Sequence, residues 1–190
     1  MESDWKSEWE PMIQAIGQDF STGEESAGAD VIEKGAIRKF LEPLEFDSPL
    51  HYDEAVAKEY GYEDVIAPYS SLYSWTIPPY WSPGSERAFT SAERNAQPTY
   101  NPLSDTKSDL MPETTGFFAT DIEMDYIKPI VVGDRLTKIG QVLLSCVPKE
   151  TKVGCGAFMV WESKVVNQDN EEIAVIRMGT YSYQPHEAKK

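Results

Sequence analysis

The first half of the chain carries apolar residues at helical spacing. In residues 3–18, where Ser3 can serve as the N-cap, these are Trp5, Trp9, Met12, Ile13 and Ile16. In residues 31–44, where Pro43 marks the end, they are Ile37, Phe40, Leu41 and Leu44. Both segments predict amphipathic helices. The small and acidic residues 19–30 between them predict a loop.

Two further helices are predicted before residue 82. Residues 53–61 form a short one, because Asp53 can cap its start and Gly61 can close its end. The segment 69–77 is apolar on nearly every side, which is typical of a buried helix, and the double proline at 78 and 79 stops it. Residues 82–115 are rich in proline and polar side chains and predict a long insertion rather than core.

The second half of the chain has the pattern of a β-sheet. Four strands are predicted at residues 117–130, 134–147, 153–166 and 171–184. Turn-like sequences separate them, and Gly133 and Asp134 belong to the first of these turns. The third and fourth strands are apolar on both faces in places, as a sheet wrapped around a buried helix requires. Helices followed by an antiparallel sheet predict a single α+β domain.

The composition argues against several classes of function. Thirty-two acidic residues against seventeen Lys and Arg give a net charge of -15, which disfavours binding to nucleic acid or to anionic membranes. No segment has the apolar length of a membrane span, and the acidic N-terminus does not resemble a signal peptide, so we expect a cytoplasmic protein. No metal site is expected, because neither Cys146 nor Cys155 has ligands at metal-binding spacing. We expect two small buried cysteines or, alternatively, thiols that face each other across a hairpin.

Three stretches of the sequence together resemble a known family. They are VIEKGAIRKFLEPLEFDSPLHYDEAVAKEYGYEDVIAP, DYIKPIVVGDRL and NQDNEEIAVIRMGTYSY. They are similar to the MaoC-like dehydratase N-terminal domain family, relatives of the (R)-specific enoyl-CoA hydratases. The resemblance implies a hotdog fold, in which a curved antiparallel sheet wraps around a central buried helix. It divides the chain into an N-terminal helix and loop, residues 1–30, and a hotdog domain, residues 31–185, with the insertion at about 82–115.

The family's hydratase motif, Gly-Asp-x-Asn-Pro-aliphatic-His, is only partly present. Pro49, Leu50 and His51 match its last three positions. Phe46 stands where the motif has its aspartate, and Asp47 lies one residue closer to the histidine than the motif requires. Hydration of a 2-enoyl thioester needs an acid and a base that bracket one water molecule, so this shift bears directly on catalysis.

Asp47 and His51 are the candidate catalytic residues, and each has a structural alternative. His51 either does proton chemistry in an acyl-thioester pocket or caps a helix through local backbone bonds. Asp47 either shares that chemistry or forms an Asx-turn that leads to Pro49. The resemblance also places the substrate near the start of the central helix, which provides the oxyanion hole in the hydratases. The candidate substrate-binding residues are Phe46, Tyr69, Ser70 and Ser71.

The resemblance implies action on a 2-enoyl-CoA thioester without a metal or redox cofactor. Because the motif is altered, we expect a subunit of a 2-enoyl-CoA hydratase or 3-hydroxyacyl-CoA dehydratase that works in a heteromer with a catalytic MaoC-like hotdog partner. The alternatives are a self-sufficient homodimeric (R)-specific hydratase that uses Asp47 and His51, and a non-catalytic acyl-CoA binding or scaffold module. A thioesterase is disfavoured, because the run APYSSLYSW contains no carboxylate.

Overall fold

The computed structural model describes residues 4–21, 26–96, 98–99 and 108–186. Its strands are β1 Ser26–Ala27, β2 Ile66–Ala67, β3 Gly116–Tyr126, β4 Ile130–Val131, β5 Thr137–Glu150, β6 Gly154–Val166 and β7 Glu172–Pro185. An antiparallel sheet has the strand order β1-β5-β6-β7-β3, and β2 pairs with β4 separately. The four predicted strands are confirmed, with bounds that shift by a few residues. Shifts of register in β3, β5 and β7 mark bulges, which bend a sheet.

The helical segments are short. They are α1 Glu10–Gln14, α2 Lys34–Leu41, α3 Glu54–Glu59 and α4 Leu72–Trp75, with single 3₁₀ turns at Ser7–Trp9, Glu42–Leu44, Pro49–His51 and Tyr69–Ser71. The predicted helix over 3–18 is therefore shorter than expected, and its proposed cap, Ser3, lies outside the described residues. Asp53 caps α3 as predicted, because its Oδ1 accepts the N–H of Ala55 at 2.8 Å. Among the described residues, no helix has the length and apolar content to cross a bilayer.

The segment predicted as a buried helix over 69–77 is less extensive and less buried than expected. Helical structure begins at Tyr69 and ends at Trp75. Ser71 and Leu72 are fully buried, whereas Tyr69 and Ser70 are exposed. The apolar pattern counted the tyrosines as core residues, but a tyrosine hydroxyl favours the boundary between core and solvent. The α+β class is confirmed, and the helical segment is buried at Ser71, Leu72 and Thr76 rather than on nearly every side.

One face of the sheet is covered by the helices of the first half of the chain. It is the face of Val165 on β6 and of its cross-strand partner Ala174 on β7. The segments α2 and α4 pack over one end of this face, in a cluster that includes Ile37, Leu41, Leu72, Val165 and Ala174. The N-terminal helix packs over the other end, in a cluster of Trp9, Met12, Leu143, Cys146, Ala157, Met159 and Trp161.

The two outer edges of the sheet differ in whether another segment of the chain covers them. The N-terminal segment runs along the outer edge of β5, where Gly17 N–H donates to the Leu143 carbonyl at 2.8 Å. Phe20 N–H donates to the Gln141 carbonyl at 2.9 Å, and Asp19 pairs with Val142. The outer edge of β3 has no strand beside it among the described residues. Within the described ranges, the chain therefore closes one edge by itself and leaves the other edge open.

The part of the predicted insertion that the structure describes contains neither helix nor strand. Residues 97 and 100–107 lie outside the described residues. Near its end, Met111 packs against the core cluster under the N-terminal helix. This end of the segment therefore touches the core of the domain.

The two cysteines do not face each other across the β5–β6 hairpin. Cys146 pairs with Met159, whereas Cys155 pairs with Glu150. Cys146 is buried, and burial raises the pKa of its thiol to about 11. Cys155 is only partly buried, so the prediction of two buried cysteines holds for Cys146 alone.

Candidate functional site

The partly matched motif lies on an irregular segment between α2 and α3. The 3₁₀ turn after α2 ends at Leu44, and the next residue, Glu45, has a left-handed φ of 50° that turns the chain sharply. The backbone is extended at Ser48, and Pro49, whose fixed φ suits a first helical position, opens the turn that carries His51. This geometry brings His51 next to β2.

His51 is half-buried and is held by a long-range backbone contact. Its Nδ1 lies 2.7 Å from the carbonyl oxygen of Ile66 in β2. A carbonyl oxygen can only accept, so Nδ1 carries the hydrogen and Nε2 keeps a free lone pair. The expected alternative, a cap made through local backbone, does not describe this contact, because Ile66 lies 15 residues further along the chain. The tautomer is the one that a general base needs.

Phe46 packs its ring against His51, with the ring centroids 5.5 Å apart. The Phe46 carbonyl accepts the hydroxyl of Tyr52 at 2.8 Å, which fixes the backbone at this point. The Phe46 side chain is 48% exposed, so it forms a surface beside the histidine rather than a part of the core. An aromatic ring thus occupies the position that holds the aspartate in the family motif.

Asp47 is exposed, and the structure shows no hydrogen bond or ion pair of its carboxylate with any described residue. The Asx-turn proposed for it requires the N–H of residue 49, and proline has none. That structural alternative is therefore wrong. The carboxylate stands in solvent.

The three candidate residues at the start of the helical segment occupy different environments. The Tyr69 ring lies 4.8 Å from the ring of Tyr126 at the end of β3, and both rings are 41% exposed. Ser70 is exposed beside it. Ser71 is fully buried, donates to the Pro68 carbonyl at 2.6 Å and accepts the Trp75 indole N–H at 2.7 Å. In this arrangement the Ser71 hydroxyl positions Trp75.

An ion-pair network ties α2 and α3 together around the motif segment. Lys34 Nζ lies 2.7 Å from Glu54 and 2.8 Å from Asp64, and Lys58 lies 2.7 Å from Glu54. Its hydrogen bond with Lys34, followed by that with Lys58, lowers the pKa of Glu54 to about 2. Hydrogen bonds with Asp64 and then with Glu54 raise the pKa of Lys34. Sequence patterns missed this network, because Lys34, Glu54 and Asp64 meet only after the chain folds back.

A cleft of about 620 Å³ lies elsewhere, between the end of α3, the β3–β4 connection and the β6–β7 turn. None of the predicted site residues lines it. Its lining includes Glu63, Asp134, Asp169 and Glu171, and such an acidic lining disfavours the phosphates of coenzyme A. Asp134 itself is a turn residue as predicted, because its carboxylate accepts the Val131 N–H at 2.8 Å.

We predict that Lys34→Ala raises the pKa of Glu54 from about 2 toward its usual value of 4.5. Lys58→Ala should raise it less, because Lys34 is the larger cause. A carboxyl whose pKa is lowered by folding contributes stability above its unfolded pKa and loses that contribution as the pH falls through its folded pKa. Acid unfolding of Lys34→Ala should therefore begin at a higher pH. Carboxyl titration by NMR measures the Glu54 pKa in both variants, and a pKa that stays at the wild-type value in both would contradict the network.

The sequence has relatives that bear on this site. Residues 14–176 match the family described as "FAS1-like, dehydratase domain region". The chain is 26% identical over 186 residues to the probable enoyl-CoA hydratase alpha subunit of Thermomonospora curvata. That alignment covers 96% of this chain and 54% of the relative, so the chain spans about half of the relative's length.

Two solved structures have the same fold. A chain of the ChsH1–ChsH2 complex from Mycobacterium tuberculosis superposes with a TM-score of 0.64 and 20% identity, covering 98% of this chain and 95% of that chain. The MaoC-like dehydratase from Rhodospirillum rubrum gives a TM-score of 0.52 and 17% identity, covering 87% and 94%. At these identities the likeness shows the fold alone. Because the family match covers most of its length, this chain belongs to the FAS1-like dehydratase region family, with the MaoC-like hotdog fold.

Proposed function

We propose that this chain is a subunit of a 2-enoyl-CoA hydratase, or 3-hydroxyacyl-CoA dehydratase, that works in a heteromer with a catalytic MaoC-like hotdog partner. The observation that carries the proposal is the half-built site, in which the ring of Phe46 packs on His51 at the position of the motif's aspartate. Two similarities support it. The relative in Thermomonospora curvata is named an alpha subunit, and the Mycobacterium tuberculosis structure is a complex of two proteins.

The chemistry explains why the half-built site favours a partner. Water addition to a 2-enoyl thioester requires one group that takes a proton from water and another that delivers a proton to C2. The Nε2 of His51 can accept a proton, because Nδ1 is committed to Ile66. Asp47, the nearest acid in sequence, stands in solvent without a fixed partner. The partner would therefore bring the complete acid–base pair.

In this arrangement the chain supplies a wall of the acyl pocket. Phe46, Tyr69 and Tyr126 are large, exposed and apolar, as a surface that an acyl chain covers would be. The amide N–H groups of Tyr69 and Ser70 begin the helical segment, where the first N–H groups have no acceptor within the helix. They are the donors that we propose for the thioester carbonyl oxygen.

The open edge of β3 is the surface that we propose for the partner. Its residues Phe117, Phe118, Ile122 and Tyr126 are each between 40% and 49% exposed. An uncovered edge strand can pair with another strand, and a partner's sheet that extends this one would satisfy its free backbone groups. Tyr126 links this edge to the site through its contact with Tyr69. A partner bound here would lie beside the half-built site.

We predict that the isolated chain hydrates crotonyl-CoA poorly and that the complex with its co-purified partner is active. Within the complex, changing the partner's own aspartate and histidine should lower kcat by about 10²–10⁴-fold, the usual worth of acid–base help. His51→Ala and Asp47→Asn in this chain should change kcat by less than about tenfold. Full activity of the isolated chain, lost in His51→Ala, would instead indicate a self-sufficient hydratase. An inactive complex that still binds acyl-CoA would indicate a scaffold.

Phe46→Asp tests whether the missing carboxylate is what limits the isolated chain. This change restores the spacing of the motif, and its exposure means that the new carboxylate is not buried without a partner. We expect the turnover of crotonyl-CoA by the isolated variant to rise measurably above that of the wild type. Phe46→Asn is the matched control, because it has the same shape without the charge and should give no rise. Equal turnover by the two variants would show that residue 46 does not face the reacting water.

Ile122→Asp should weaken the assembly through β3, because it places a charge on the open edge. Ile16→Asp is its control, since Ile16 has similar exposure, 44% against 47%, but lies on the N-terminal segment over β5. Light scattering after size-exclusion chromatography of the mixed subunits should show dissociation for Ile122→Asp alone. Intact assembly in both variants would place the partner on another surface.

A further inference from the structure

We propose that Glu150, Cys155 and His186 form a binding site for a divalent metal ion, with Zn²⁺ as the favoured ion. The Cys155 sulfur, a ring nitrogen of His186 and a carboxylate oxygen of Glu150 all lie within 4.8 Å of one another. The cluster stands at the opposite end of the strands from Tyr126 and from the site around His51. It is therefore independent of the proposed acyl-thioester chemistry.

The register of the sheet brings the three side chains together. Glu150, the last residue of β5, is the cross-strand partner of Cys155 on β6. Cys155 is in turn the partner of Gln184 on β7, and His186 follows two residues later. Cross-strand partners lie on one face, and the chain just after β7 brings His186 within 4.8 Å of the other two ligand atoms. The sequence predicted no metal site here, because the three residues are not at any metal-ligand spacing along the chain.

The donor set is typical of a zinc site. Zn²⁺ takes thiolate, imidazole and carboxylate ligands at about 2.0–2.3 Å, usually in a tetrahedron. Such bonds place the ligand atoms about 3.3–3.6 Å apart, so these three side chains would have to close by about 1 Å. Glu150 and His186 have the freedom to do so, since their side chains are 64% and 44% exposed. Three protein ligands leave the fourth position to water.

The ring of His186 already contacts the backbone. Its Nε2 lies 2.9 Å from the Thr151 carbonyl oxygen and 3.8 Å from a carboxylate oxygen of Glu150. In the neutral ring Nε2–H donates to that carbonyl, so the lone pair for a cation is on Nδ1, and metal-binding histidines are usually held by a hydrogen bond of this kind from the other ring nitrogen. Because the nitrogen that lies nearest to Glu150 is Nε2, the exposed ring of His186 has to rotate for Nδ1 to reach a shared ion.

Hydrogen bonds hold the β5–β6 hairpin that carries Glu150 and Cys155. Thr151 N–H donates to the Gly154 carbonyl at 2.9 Å and closes the turn. The hydroxyl of the fully buried Tyr181 lies 2.8 Å from the carbonyl oxygens of both Lys149 and Gly154. Because sites on rigid elements keep their geometry, the ligands would need only side-chain adjustments.

The negative carboxylate of Glu150, with an oxygen within 4.8 Å of the Cys155 sulfur, favours a cation between them. A divalent ion would remove the repulsion between thiolate and carboxylate, and it deprotonates a coordinating thiol. It would also join the ends of β5 and β6 to the residue that follows β7. Because the ion would bind the folded chain, it should stabilise the fold.

The test uses the full-length, metal-stripped chain without an affinity tag. We expect one equivalent of Zn²⁺ to bind by calorimetry and to raise the unfolding temperature. Co²⁺ in its place should give a thiolate-to-metal charge-transfer band. Cys155→Ser should abolish the band, and His186→Ala should weaken Zn²⁺ binding at least about tenfold, as loss of a ligand does. Cys146→Ala and His51→Ala, which remove the other thiol and the other imidazole, should keep wild-type binding.

A second measurement needs no variant. Zn²⁺ should protect Cys155 of the wild-type chain from alkylation, as measured by peptide mass spectrometry, and leave the slow alkylation of buried Cys146 unchanged. The proposal is overturned if Zn²⁺ gives no protection and no rise in unfolding temperature at millimolar concentration, or if Cys155→Ser binds Zn²⁺ as the wild type does. Crotonyl-CoA hydration by the complex is not a readout in either measurement, so failure here leaves the proposed function untouched.

Discussion

The rest of the structure depends on the antiparallel sheet built around the pairing of β6 with β7. One face of this sheet must be buried, and its two outer strands present unpaired backbone groups that need a neighbour. The first half of the chain provides only short helices, so several of them share the work of covering one face. The N-terminal segment covers the rest of that face and also occupies the edge of β5. No segment remains for the edge of β3 in the part of the chain that the structure describes.

The candidate site lies between the helical segments that cover the sheet and the open edge of β3. His51 is held by β2, a short strand whose pairing with β4 places it beside the end of β3. The helical segment that follows β2 carries Tyr69 to Tyr126, the last residue of the open edge. The ion pairs of Lys34 with Glu54 and Asp64 fix α2 and α3 on either side of the irregular segment. Site and open edge thus depend on the same few contacts.

Two independent features of this chain, the altered motif and the uncovered edge of β3, both favour a partner. The motif lacks its acid because Phe46 stands in its place, and no strand lies beside β3 among the residues that the structure describes. Each is costly for a chain that works alone, since an unaccompanied base gives little catalysis and an exposed apolar edge invites non-specific pairing. A hotdog partner that supplies the acid–base pair would resolve both. The agreement is the main physical support for a heteromeric hydratase.

The sequence alone determined the four long strands, the α+β class and the altered motif, because strand patterns and motif positions are local properties of the chain. It overestimated the helix at 69–77, because periodicity does not tell a core tyrosine from one at the margin of the core. Only the tertiary structure decided that His51 bonds to Ile66 and that Glu150, Cys155 and His186 meet. Such contacts follow from strand register and chain reversal, which bring together residues that no sequence spacing relates.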